Sequence, residues 1–198
     1  MPGLSAVERA PRSAVPSAES SKRAEWQSLI DELNNALAAV GNDQRPRILE
    51  RVIDLFAAGS RAYSIDQITL FDDVLQELSA QLEIKARARL AHRLAHIDRA
   101  PRKIIRSLAF DDEIEVAEPV LVHSQQLSDA DLIDNTTTKG KKHLFAIAQR
   151  LKLSESVTNI LIERGNRRVV DKVVQNKGAH FSLAGYGKLT VRVRGDRN

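Results

Sequence analysis

Apolar residues in this chain fall into short stripes at three- and four-residue steps, and each stripe is soon cut off by a polar cap, a glycine or a proline. That spacing lines one face of an α-helix. A helix so short cannot bury its stripe alone, so it must lie against neighbours that hide theirs in the same way. The punctuation therefore constrains the fold more than composition does.

Trp26, Leu29, Ile30, Leu33, Leu37 and Val40 predict a helix over 21–40, stopped by Gly41. Pro46 stands where the next would begin, and Ile48, Leu49, Val52, Ile53 and Phe56 form its stripe up to Gly59. Ser64 and Gln67 have the spacing of a capping box, opening a stripe of Ile68, Phe71, Val74, Leu75, Leu78 and Leu82. Shorter helices are predicted over 84–96, 99–108, 112–123, 129–136, 141–151, 155–164 and 167–176. Asp98, Asp111, Ser128, Ser154 and Asn166 are their candidate N-caps, Gly165 and Gly178 the stops of the last two, and Pro119 predicts a kink or a break.

The expected fold is all-α, an α-solenoid of stacked short helices. Residues 1–20 read as a flexible tail and 21–182 as the helical-repeat domain, acidic over 21–83 and repeat-like over 84–182. Residues 183–198 read as a tail or an unfinished repeat. Within it, 189–194 alternates apolar and basic residues, as a short strand or the stub of a helix would, and is expected to be poorly ordered or buried against a partner.

An internal echo supports stacking. The segment RLAHIDRAPRKIIRSLAFDDEIEVAEPVL can be laid over RLKLSESVTNILIERGNRRVVDKVVQN, with Ile104 and Ile105 matching Leu161 and Ile162 as the central aliphatic pair. The stretches IRSLAFDDEIEVAEPVLVHSQQLSDADL (105–132) and HLFAIAQRLKLSESVTNILIERGNRRVVDKVVQNKGAHFS (143–182) resemble the bacterial family of domain of unknown function 2336, which looks like a relative of HEAT-type repeats. The resemblance implies a solenoid-like fold and brings no catalytic residues and no activity.

Charge carries the functional expectation. Residues 1–83 hold 8 basic and 13 acidic side chains, 84–138 hold 8 and 9, and 139–198 hold 14 and 4. A basic face is thus expected in the second half, with Arg99, Arg102, Lys103, Arg106, Arg167, Arg168 and Lys172 as the candidate binding residues. Electrostatic recognition of an acidic protein surface is the leading reading, making the chain a protein-interaction or scaffolding module. Non-specific nucleic-acid binding through the same strip is the alternative. Self-association of the acidic and basic thirds is the third. Pairing of the middle cationic helices with neighbouring acidic ones would be the structural explanation of the same pattern.

Other chemistries lack local support. The chain has 0 cysteines, which excludes thiolate nucleophiles and cysteine-based metal sites and suits a reducing, cytoplasmic setting. No apolar run approaches the ~20 residues of a membrane span, so no membrane partner is expected. Aromatic residues make up 4%, few for base stacking. No glycine-rich phosphate loop appears, so no cofactor is expected. His92 and His96 are spaced as a metal pair near Asp98, but the third ligand would have to come from elsewhere and arginines surround them. They read as the polar flank of a helix, and no enzyme is expected.

Overall fold

The computed structural model describes residues 45–195, which are all-helical. They belong to one unit that begins at Asn42. The helix expected over 21–40 and the tail before it lie outside the described residues. In chain order the helices are α1 (Arg45–Gly59), α2 (Ile65–Ala80), α3 (Ile84–Leu94), α4 (Arg102–Ala109), α5 (Ile114–His123), α6 (Asp129–Thr138), α7 (Lys141–Ala148), α8 (Glu155–Arg164), α9 (Arg167–Gln175) and α10 (Leu183–Gly195). Extended pairing among the described residues is confined to one parallel bridge, Leu153 to Ala179.

Most helices pack mainly on the one two places along the chain. α1 meets α3, α3 meets α5, α5 meets α7 and α7 meets α9; α2 meets α4, α6 meets α8 and α8 meets α10. Sequence neighbours touch as well, notably α4 with α5 and α8 with α9. The predicted stripes are what these contacts bury. Ile53, Phe56, Leu75, Leu90, Leu94, Ile104, Ile105, Leu121, Ile147, Leu161 and Ile162 have essentially no solvent exposure. Each such side chain contributes about 1.5–3 kcal/mol of apolar burial. The two halves of the sequence echo are α4–α5 and α8–α9; both aliphatic pairs are buried, Ile104 and Ile105 in the first turn of α4 and Leu161 and Ile162 towards the end of α8.

The caps divide into local and long-range ones. Ser64 closes a capping box with Gln67, and Ser128, Ser154 and Asn166 each accept from the backbone three residues on. Asp98 does not cap. The fourth helix starts later than predicted, at Arg102, and its N-cap is Pro101, which has no side-chain acceptor. Asp72 of α2 takes that role from a distance: Lys103 N donates to Oδ2 at 2.8 Å and Ile104 N to Oδ1 at 2.7 Å. Asp111 likewise is not the cap of α5, which is Glu113; its carboxylate accepts from Glu113 N and binds Arg87 at 2.8 Å.

Gly165 and Gly178 also differ from expectation. No glycine among the described residues has positive φ, so neither supplies a left-handed stop. Gly165 caps α8 with φ −64°, and the residue after α9 is Asn176. Close packing explains both glycines: a Cβ at 165 would run into Leu161 O, and one at 178 into Leu151 O. Pro119 neither ends nor divides α5, because the amide it lacks would have bonded only the carbonyl of Glu115, an exposed residue.

Residues 189–194 are not a strand. They lie in α10, where helix bonding satisfies a backbone that has no strand edge beside it. α10 packs on α8 of the same chain: Ser182 Oγ, at the head of the helix, meets Asn159 Oδ1 at 3.0 Å, and Lys188 Nζ meets Glu163 at 2.5 Å. Among the described residues no helix is long and apolar enough to cross a membrane.

Candidate interaction surface

The seven cations named from the sequence fall into two groups. Arg99 precedes α4, and Arg102, Lys103 and Arg106 lie in its helix; Arg167, Arg168 and Lys172 lie in α9. α4 packs on α2, α3 and α5, whereas α9 packs on α7 and α8, so the two helices share no main packing neighbour. They do not form one continuous strip through shared contacts.

The α4 group is engaged within the chain. Arg99 Nη1 donates to the carbonyls of Ser60 and Arg61. Lys103 Nζ binds Asp73 at 2.7 Å, and that hydrogen bond raises the affinity of the amine for its proton. Arg106 divides its guanidinium between Asp131 at 2.8 Å and Asp134 at 2.9 Å, and lies over the Phe110 ring. Arg102 stands 4.0 Å from Asp131. Further along, Arg93 reaches Glu50 and Asp54 of α1. The acids that answer the middle cations come from α1, α2 and α6, and only Arg87 uses the acidic stretch that follows in sequence.

The α9 group is much less satisfied. Arg167 Nε approaches Asp171, one turn on, at only 3.9 Å, and both side chains are exposed. Arg168 lies over the Phe145 ring at 4.3 Å. Among the described residues neither Arg168 nor Lys172 has a carboxylate within ion-pair distance. These three cations, with Phe145, Asp171 and Gln175, line a shallow open groove along α7 and α9. Asn166 fixes the start of α9, and Val169, Val170 and Val173 bury its other face, which leaves the cations outward.

Two features were not legible from the sequence. Arg150, buried for most of its length, donates to Leu121 O at 2.5 Å and to Ser124 O at 2.8 Å, closing the C-terminal end of α5. The imidazole of His123 lies beside that of His96, with ring centres 4.7 Å apart, and His96 lies 5.6 Å from His92. Among the described residues no three side chains of ligating type are arranged to hold a metal ion.

Residues 116–198 match a family described as an uncharacterised protein conserved in bacteria (DUF2336). The match opens two residues into α5 and takes in α6 to α10, the groove included. No curated protein and no solved structure matches the chain.

Proposed function

We propose that this chain is a HEAT-like α-solenoid and a non-catalytic protein-interaction module, in which the exposed face of α9 recognises an acidic surface on a partner protein. Packing of most helices on the one two places along, α4 and α6 being the exception, supports the solenoid reading, because stacked helix pairs of a repeat array contact each other in that order. The observation that carries the binding reading is the contrast between the two cationic groups. In the α4 group, Arg99, Lys103 and Arg106 meet carbonyls or carboxylates at hydrogen-bond distance, Arg102 alone being loosely held. Along the α9 groove, Arg167 has one long contact to Asp171, Arg168 lies on the Phe145 ring and Lys172 has no carboxylate within ion-pair distance among the described residues. Unspent cations on a rigid, half-buried helix offer charge complementarity at little ordering cost.

Fluorescence anisotropy with a labelled poly-glutamate peptide tests this. The triple variant R167A/R168A/K172A should weaken binding by about tenfold or more, and R102A/K103A should leave it nearly unchanged. Binding of duplex DNA in preference to the peptide, lost steeply between about 50 and 200 mM salt, would transfer the surface to nucleic acid. Equal loss in both variants would remove α9 as the recognition face. Light scattering at the same two salt concentrations addresses self-association, which predicts a mass that falls as salt rises.

A further inference from the structure

Three of the five histidines meet where α3 and α5 end. His92 is in the last turn of α3, His96 lies just beyond it, and His123 is the last residue of α5. α3 and α5 form the most extensive helix–helix contact of the described residues. The loops beyond them are tied together as well, since the Gln126 side-chain amide donates to the Asp98 carbonyl.

We propose that His92, His96 and His123 form an acid-sensitive clasp between the C-terminal ends of α3 and α5, closed while the rings are neutral and loosened once more than one takes a proton. Neutral imidazoles pack edge to face at little cost, whereas neighbouring imidazolium ions repel. The surroundings of His123 act against its protonation. The C-terminal end of each helix favours one positive charge. Arg150 already fills that role at α5, and its charge opposes a proton on His123. Burial, then His96, His92 and Arg150, all hold its imidazole below the ordinary histidine value, and Glu118 alone pulls the other way.

Several of the other charges on and against these helices are paired elsewhere, while Lys85 and Arg89 of α3 and Asp98 beyond it make no ion pair among the described residues. On α3, Arg93 is bound to Glu50 and Asp54 of α1, and Arg87 to Asp111 at the far end of α5. On α4, Lys103 pairs with Asp73, and Arg102 and Arg106 face Asp131. On α7, His143 lies against the Asp111 carbonyl, again at the far end. Glu118 pulls against these effects but does not outweigh them. For a base whose folded-state value is lowered, stability is complete above the unfolded value, about 6.5, and falls as pH drops below it.

Histidine Cε1–H resonances of the full chain, followed by NMR from about pH 4.5 to 8, read the cluster directly. His123 should titrate below the ordinary histidine range, with a broadened curve, and H96Q should raise its midpoint by about half a unit. Between about pH 7.5 and 5.5 the Tm should fall by about 2–4 °C, and by clearly less in H96Q and in H92Q. H180Q, a histidine exposed like those of the cluster but outside it, should behave like the unaltered chain. A His123 midpoint that ignores H96Q, or the same acid loss in all three variants, would overturn the proposal.

Discussion

Asp72 illustrates how one side chain joins elements distant in sequence. It sits in the middle of α2, is 4% exposed, and accepts from the first amides of α4. Burial pushes its carboxyl above the usual carboxylate value, against the two amide donors and Lys103, which pull it down. Asp72→Ala leaves two amide donors without an acceptor and should cost about 2 kcal/mol in urea unfolding. Asp72→Asn keeps one acceptor and should cost less than Asp72→Ala. Glycines give a second test at this scale. Gly178→Ala would drive a Cβ into the Leu151 carbonyl and should destabilise by about 1–3 kcal/mol. Gly187 lies inside α10 with open space around it, so Gly187→Ala should gain about 0.5–1 kcal/mol from helix propensity. Thermal melts of the two variants should move in opposite directions.

At the scale of the element, α6 shows a local signal and a tertiary one acting on the same residue. Ser128 and Asp131 make the capping box within the helix, and Arg106 reaches Asp131 from α4. Burial raises the Asp131 carboxyl, but the Ser128 hydroxyl and amide, together with Arg106, outweigh it and hold the group below the ordinary value. A carboxylate with a lowered folded value contributes its stability above the unfolded value, about 3.9, and loses it as pH falls through the folded one. Asp131→Asn should therefore cost about 1 kcal/mol at neutral pH and flatten the loss of stability below about pH 4. Acid titration of the unfolding free energy for both proteins checks this, well below the range in which the histidines titrate.

Across the described residues, the packing of most helices on the one two places along keeps contacts between nearby stretches of the chain. Hydrogen exchange should show the greatest protection in α5, which packs on α3, α4 and α7, and earlier opening of α10, which rests chiefly on α8. Uniform protection across α3 to α10 would mean a single cooperative unit and would count against a repeat array.

The positions of α1 to α9 to within a few residues, their buried stripes and the caps at Ser64, Ser128, Ser154 and Asn166 were set by the sequence, because periodicity and N-cap chemistry act within one helical turn. The same reading failed at Asp98 and Asp111: Asp72 of α2 meets the first amides of α4 and Arg87 of α3 holds Asp111, so the groups that matter depend on what α2 and α3 bring near. Charge was legible as a gradient but not as a site. Only packing placed Asp73, Asp131 and Asp134 against the α4 cations while leaving α9 with the weak contact to Asp171. His123 joined His92 and His96 for the same reason, since α3 and α5 end side by side although α4 separates them in the chain. Short-range order follows from bonds along the chain; which charges are spent and which rings meet follows from which helices touch.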